Sequence, residues 1–212
     1  MRPAGSATAS KCRYSKMAAL FVAAVMLGCG ARSQASSTDS FQPYSDCLRQ
    51  SQGGADRDIV DACKALEVAL EPETAEVSKA MTAKSSGKPV SAKAFFQILW
   101  HCRGERLATV AIARVYARHG VEEHGRAYAL QAISWAMYDA KDSHDVLVSV
   151  KGLKDAAAMG LAASNAAAMN EDRNDVADME RLFPGVLNQA VAHLRMTRAE
   201  YDDIIRTLYS IQ

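Results

Sequence analysis

The residues that come closest to a metal-binding pattern are His119 and His124, which enclose Glu122 and Glu123. A helical zinc pair needs two histidines four positions apart, so that both side chains project from one face. Here the histidines are five positions apart, and Gly120 between them is expected to end a helix. The pattern therefore favours a solvated loop, and no metal ligand is predicted.

His101 and Cys102 are the residues that most resemble a base and a nucleophile. Adjacent residues on a helix point in different directions, so this histidine is badly placed to activate this thiol. Free cysteine is among the most buried residue types and behaves as a small apolar side chain. We therefore interpret Cys102 as an inert thiol of the core.

Three carboxylates follow Thr197 near the end of the chain: Glu200, Asp202 and Asp203. Thr197 and Glu200 have the spacing of a capping box, and acidic groups in a first helical turn interact favourably with the helix dipole. A structural role explains these carboxylates. The sequence also contains no glycine-rich phosphate loop and no Gly-x-Ser-x-Gly motif. It predicts no catalytic residue and no cofactor.

The N-terminal segment has the features of an export signal. An apolar run from Met17 to Leu27 is followed by Gly28 and Cys29, and three basic residues precede it: Lys11, Arg13 and Lys16. A basic start, a short apolar stretch and a small residue at the cleavage site are typical of a signal peptide. The run is too short for a transmembrane helix, which needs about 20 apolar residues.

The end of this segment, Met26 to Cys29, resembles the lipobox of bacterial lipoproteins. The resemblance implies that Cys29 is lipidated and becomes the mature N-terminus. It departs from the usual pattern at Met26, where leucine is common, and at Leu27, where small residues are common. The residue after the cysteine is glycine, not the aspartate that holds some lipoproteins at the inner membrane. The alternatives are simple secretion after cleavage at Ala35 and a retained segment.

The cysteines remaining in the exported chain predict one disulfide. Cys12 lies in the signal, and Cys29 is the expected lipid anchor. If Cys29 is not lipidated, four mature cysteines allow three pairings. We favour Cys47 with Cys63, because their segments read as two short helices that fold back at a Gly-Gly turn. Cys102 is expected to stay free.

Apolar residues recur at helical spacings along the chain, so the sequence predicts an all-α fold. We expect an irregular bundle of about eight or nine short helices. The stretches with helical spacing or punctuation are one carrying Cys47; one from an Asp56 cap, with Ile59, Cys63, Leu66 and Leu70 inside; one opened by Pro72 and stopped at Gly87; one from a Ser91 cap to Gly104; Leu107 to His119; Val121 to Lys141; one capped by Ser143; Asp175 to Phe183; Val186 to Arg195; and one after Thr197. A strand over Asp145 to Val150 is the alternative for that stretch.

Paired helices suggest a second resemblance. Ile112, Ala113 and Tyr116 are similar to the first-helix core of tetratricopeptide-like repeats, whose partner helix carries alanine near position 125. This chain has Gly125 there and shows no second copy at a fixed period. The irregular bundle is preferred. The predicted organisation is a signal peptide over residues 1–28, a flexible tether over 29–45 and one helical domain over 46–212.

The charge pattern argues against nucleic-acid binding. The formal net charge is +1, and acidic and basic residues alternate along the chain. Five closely spaced arginines are predicted to form a solvated face: Arg103, Arg106, Arg114, Arg118 and Arg126. Four aromatic residues at helical spacings are predicted to pack in the core, with a binding groove as the alternative: Trp100, Tyr128, Trp135 and Tyr138.

These features predict an exported, lipid-anchored helical protein that binds another protein and is not an enzyme. We expect it at the outer membrane facing the periplasm, or free in the periplasm if Cys29 is not lipidated. Its expected partners are an envelope or secreted protein and, through the lipid anchor, the membrane. The alternatives are a periplasmic immunity protein that inhibits a secreted toxin and an envelope hydrolase.

Overall fold

The computed structural model describes residues 41–194 and, beyond them, residues 199, 200, 203 and 206. Every regular element in this part of the chain is a helix, so the predicted all-α class is confirmed there. The signal segment, Cys29, Thr197 and Asp202 lie outside the described residues. No helix among the described residues is long and apolar enough to cross a membrane.

The first two helices form a disulfide-linked hairpin. Helix α1 spans Phe41–Ser51 and helix α2 spans Asp56–Leu70. Residues 41–45, which were predicted to belong to the tether, are helical. Pro43 is tolerated there because backbone N–H groups in a first helical turn have no intrahelical acceptor. Cys47 and Cys63 are joined by a disulfide across the hairpin, with their Cα atoms 4.6 Å apart, and both are fully buried.

Helix α2 buries the apolar stripe that the sequence predicted. Its buried residues are Ile59, Cys63, Leu66 and Leu70. The predicted cap was wrong: Ala55 is the N-cap, and its side chain accepts no hydrogen bond. Asp56 lies inside the first turn, where its carboxylate pairs with Arg118 and His119 of a neighbouring helix.

A short 3-10 turn at Glu71–Glu73 leads directly into helix α3, Thr74–Ser85. Pro72 lies in this turn, as expected. Helix α3 ends before Gly87, which adopts a positive φ of 71°. The buried side of α3 carries Val77, which packs against Ile98 and Cys102.

Three long helices replace five of the predicted short ones. Helix α4 spans Ala92–Arg118, α5 spans Glu122–Val150 and α6 spans Ala156–Leu182. Ser91 caps α4 as predicted, by accepting a hydrogen bond from the N–H of Ala94 at 3.1 Å. The predicted stop at Gly104 was wrong. The glycine lies within α4 because α2 approaches there: a β-carbon on Gly104 would lie 2.7 Å from Leu70.

The helix predicted to start at Ser143 also merges with its neighbour. Ser143 is buried in α5, where its hydroxyl donates a hydrogen bond to Asp139, and α5 continues to Val150. The stretch from Asp145 to Val150 is helical, not a strand. Helix α6 is capped by Asp155, and no break occurs before Asp175.

The predicted break at Pro184-Gly185 is confirmed. Gly185 has a φ of 87° and precedes helix α7, Val186–His193. The long helices follow one another through short turns, and α5 lies between α4 and α6. One apolar cluster joins α4, α5, α6 and α7. A second joins the α1–α2 hairpin to α4.

Candidate functional site

A network of charged residues is buried between α4 and α6. Arg106 of α4 is 5% exposed and lies close to three carboxylates of α6. Its guanidinium contacts Glu171 at 3.0 Å, Asp172 at 3.1 Å and Asp175 at 2.6 Å. Asp175 also contacts Arg114 at 3.2 Å, which extends the network towards the end of α4.

Arg103, one turn earlier, joins α4 to both other long helices. Its Nε donates hydrogen bonds to the two oxygens of Asp139 on α5, at 3.2 and 3.1 Å. Its Nη2 donates to Ser143 at 3.1 Å and to Asn165 of α6 at 3.0 Å. A guanidinium suits this position because it offers five donors in one rigid plane.

Asp172 is the least satisfied member of this network. Its side chain is fully buried, and neither carboxylate oxygen accepts a hydrogen bond within the part of the chain described. Burial, together with the carboxylate of Asp139, raises the pKa of Asp172 well above its ordinary value. No solvent reaches the carboxylate of Asp172, so this residue acts on the packing of α4 against α6.

The predicted solvated arginine face was wrong for Arg103 and Arg106, because both guanidinium groups pair with buried carboxylates of other helices. Their partners lie 36 to 69 positions later in the sequence, on helices whose register the sequence does not reveal. One usable signal was present. Asp172 and Asp175 are three positions apart and therefore share one face of their helix. Arg103 and Arg106 have the same spacing on α4.

An open groove lies between α3 and the two helices α4 and α5. One wall is a row of exposed hydroxyl residues on α3: Thr74, Ser78, Thr82 and Ser85. Val77 and Met81 lie beside this row, and the opposite wall carries Trp135 and Tyr138 of α5. The groove has a volume of about 360 Å³. We call it the His101 groove, after the residue at its floor.

His101 lines this groove although only 1% of its surface is exposed. Its Nδ1 has no hydrogen-bond partner in the described structure, and its Nε2 lies 3.9 Å from Oε1 of Glu105. The imidazole meets the ring of Trp135 edge-on, with centroids 5.5 Å apart. Burial lowers the pKa of His101, so the neutral imidazole is favoured.

Glu105 lies behind His101 at the interface of α4 with α2. Burial, together with the nearby carboxylate of Glu67, raises the pKa of Glu105 to about 7. Burial also raises the pKa of Glu67. These two carboxylates and the imidazole do not form a metal site: the described residues contain no group of three or more potential ligands arranged to hold an ion.

Cys102 lies in a different environment from its neighbour His101. It is fully buried among Val77 and Ile98, and burial raises the pKa of its thiol well above the ordinary value. A thiol with a raised pKa is a poor nucleophile at neutral pH. The structure agrees with the interpretation of Cys102 as a free core thiol.

His119 and His124 contact different parts of the molecule. His119 contacts Asp56 of α2 through Nε2 at 2.8 Å. His124 packs against the ring of Tyr116, with centroids 5.6 Å apart. The predicted solvated loop was wrong for Glu122, Glu123 and His124, which lie in the first turn of α5. The candidate site contains Trp135 and Tyr138, which the sequence analysis placed in the core, and His101, which it had considered only as a base for Cys102.

No known protein family, curated protein or solved structure matches this chain.

Proposed function

We propose that this protein is an exported, lipid-anchored binding module that takes a protein partner into the His101 groove. The observation that carries the proposal is the groove itself. It is open along the α3 hydroxyl row and lined by the rings of Trp135 and Tyr138. Aromatic side chains with hydrogen-bonding neighbours are the usual composition of a protein recognition surface.

The framework of the groove supports binding over catalysis. The hydroxyls on its wall are engaged with their own helix: Thr82 donates to the carbonyl oxygen of Ser78 at 2.9 Å, and Ser85 donates to that of Thr82 at 3.0 Å. Among the described residues, neither hydroxyl is hydrogen-bonded to a base that would activate it as a nucleophile. Their free lone pairs can accept hydrogen bonds from a partner.

The disulfide between Cys47 and Cys63 supports the export part of the proposal. Structural disulfides persist in oxidising compartments such as the periplasm and are rare in the cytosol. Lipidation of Cys29 rests on the lipobox-like sequence alone. It is tested by labelling cells with a palmitate analogue: the wild-type protein should take up label, and a Cys29→Ala variant should not.

Photo-crosslinking in intact cells tests the binding proposal. A benzoylphenylalanine placed at Ser78 or Thr82, on the groove wall, is expected to form a discrete adduct with one envelope or secreted protein. The control position is Lys79, an exposed residue of the same helix that does not line the groove. Adducts of equal yield from Lys79, or none from either wall position, would contradict the proposed site.

The immunity-protein alternative is a narrower form of the same proposal, in which the partner is a toxin. The crosslink distinguishes it directly, because the captured protein would then be a secreted enzyme whose activity falls on binding. An envelope hydrolase would instead turn over a substrate without any partner.

A further inference from the structure

We propose that one end of the helical bundle rests on a membrane surface that contains anionic phospholipids. At this end α4 and α6 begin and α5 finishes. We call it the lysine end, and it comprises Phe41, residues 86–96 and residues 146–159. This inference rests on the proposed function, because it gives the lipid-anchored chain a second contact with the membrane that holds it.

Contacts between α4 and α5 place the start of one helix beside the end of the other. Nε of Arg103, in the first half of α4, lies 3.1 Å from Oδ2 of Asp139, in the second half of α5. Near the end of α4, the ring of Tyr116 stacks on that of Tyr128, in the first half of α5, with centroids 5.8 Å apart. The two helices are therefore antiparallel, and residues 86–96 lie at the same end as residues 146–150.

Helix α6 starts at this end as well. Arg103 contacts Asn165, in the first half of α6, at 3.0 Å, and Arg114 contacts Asp178, in its second half, at 2.8 Å. Because these pairs occur in the same order along both helices, α4 and α6 run parallel. The turn that joins α5 to α6 therefore lies at the same end as the start of α4.

Exposed apolar side chains are concentrated at the lysine end. Five of the nine large apolar residues that are exposed in the described part of the chain lie there: Phe41, Phe96, Val148, Leu153 and Met159. Phe41 is 61% exposed and Met159 is 62% exposed, so most of each side chain is free for contact. Phe41 belongs to this end because its ring stacks on Trp100 of α4, with centroids 6.4 Å apart. Such a concentration is typical of a protein or membrane interaction site.

The same end is positively charged. Its four lysines are exposed, and none forms an ion pair with a described residue: Lys88, Lys93, Lys151 and Lys154. Lys93 lies within electrostatic range of Glu73. The only acidic residue in 86–96 and 146–159 is Asp155, whose side chain is engaged as the N-cap of α6. Positive charge is therefore in excess here, although the formal net charge of the whole chain is only +1.

This combination matches the surface of an anionic membrane. Lysines close to such a surface are attracted by the lipid headgroups, and apolar side chains enter the boundary between headgroups and acyl chains. The lysine end offers both kinds of side chain together, so its charge and its apolar surface favour the same partner.

The chain leads from the expected anchor to this end. Phe41 follows Cys29 by about 12 positions, a length that spans at most about 43 Å when fully extended. The first described residue of the lysine end is therefore within reach of the bilayer. The opposite end of the bundle lies about 40 Å farther along α4, so the tether favours contact through the lysine end.

Photo-crosslinking to lipid in intact cells tests the contact. Benzoylphenylalanine is placed at Met159, or separately at Leu153, in the full-length protein, and adducts are identified by mass spectrometry. We expect a phospholipid adduct from both positions. The matched control is Val121, an exposed apolar residue at the opposite end, between α4 and α5, which should give only background yield.

Vesicles test the part played by charge. The purified full-length protein with the Met159 crosslinker is mixed with phosphatidylcholine vesicles that contain or lack phosphatidylglycerol, and phosphatidylglycerol should raise the adduct yield. Each lysine near an anionic surface contributes about 1 kcal/mol, so Lys151→Gln/Lys154→Gln should lower the docking constant about thirtyfold. Arg49→Gln/Arg57→Gln removes two exposed cations of the α1–α2 hairpin and should leave the adduct yield unchanged.

The outcomes separate this inference from the proposed function. Equal lipid yields from Met159 and Val121, no lipid adduct from Met159 or Leu153, or no effect of phosphatidylglycerol would overturn it. An adduct of twice the protein mass would mean that a second copy covers this end, which also overturns it. Palmitate label on Cys29 without lipid adducts means that the anchor stands and only this inference fails. Lipid adducts without the label mean that the membrane contact stands and the lipid-anchor part of the proposed function fails.

Discussion

The guanidinium Nε of Arg106 lies 3.1 Å from Oδ1 of Asp172, and both side chains are buried between α4 and α6. The two residues do not depend on each other equally. Arg106 also contacts Glu171 and Asp175, whereas neither oxygen of Asp172 accepts a hydrogen bond from the described residues. The asymmetry predicts very different costs for removing each partner.

Arg106→Met should lower the free energy of unfolding by about 3–5 kcal/mol, because it leaves several carboxylates close together without their cation. Asp172→Asn should cost less than about 1 kcal/mol at pH 7.5, because Arg106 keeps its other two carboxylates. Urea unfolding measures both. Equal losses for the two variants would show that Asp172 is an essential partner of Arg106.

Asp172 also predicts a pH dependence. Its pKa in the folded state is raised by burial, so the folded state favours the protonated carboxyl. The corresponding stability is present below the unfolded pKa and is lost as pH rises. Asp172→Asn should therefore gain stability relative to the wild-type protein over the range of pH above the unfolded pKa of aspartate. A constant difference across this range would contradict the raised pKa.

Glu105 should produce a similar loss at a defined pH. Its pKa is raised from 4.5 to about 7 by burial and Glu67, so folding is favoured by protonation and stability falls as pH rises from 5 to 8. The shift corresponds to about 3 kcal/mol. Burial lowers the pKa of the neighbouring His101, which opposes this trend at acid pH.

The contribution of Glu105 is isolated by comparing the wild-type protein with Glu105→Gln at each pH. The variant should gain relative stability progressively from pH 5 to pH 8, in thermal or urea unfolding. A flat difference would mean that Glu105 is ionised in the folded state at acid pH.

The close approach of α2 to α4 predicts a strong effect at Gly104. A β-carbon there would lie 2.7 Å from Leu70, so Gly104→Ala should destabilise the protein by about 1–3 kcal/mol through overpacking. Gly160 of α6 is the matched control, because it is exposed and nothing lies within 4 Å of its β-position. Gly160→Ala should stabilise by about 0.5–1 kcal/mol through helix propensity. Leu70→Ala should relieve the clash in a double variant.

Removing the disulfide should weaken the hairpin. The chain between Cys47 and Cys63 closes a loop with a sequence separation of 16, which corresponds to about 3 kcal/mol in the chain-entropy treatment. The double variant Cys47→Ala/Cys63→Ala should lose about this much in unfolding without reductant, and reductant should affect the wild-type protein alone. Peptide mapping should find Cys102 free, and a bond to Cys102 would contradict the structure.

The sequence predicted the helical class and the buried stripe of α2 because both depend on local periodicity. It also predicted the Ser91 cap and the turn at Pro184-Gly185, which depend on the chemistry of a few neighbouring residues. It placed a false helix end at Gly104, because a glycine needed for close packing looks the same in sequence as a glycine that ends a helix.

The candidate site was harder to predict, because it depends on contacts between distant helices. Trp135 and Tyr138 read as core residues on an amphipathic helix, and only the position of α3 shows that they form a groove wall. Arg103 and Arg106 read as surface charges for the same reason. Their carboxylate partners become visible only when the register of α5 and α6 is known.

The short turns between consecutive helices have a consequence for how the chain acquires its structure. Helices α4, α5 and α6 each pack on the helix that follows them, with turns of a few residues at His119–Val121 and Lys151–Asp155. Such local topology allows rapid folding, and each pair of consecutive helices can pack as soon as both have been synthesised. Arg106 makes contacts of much longer range, since its carboxylates lie 65 to 69 residues later. The emerging chain therefore cannot pair this cation with its carboxylates until the first five turns of α6 have been made.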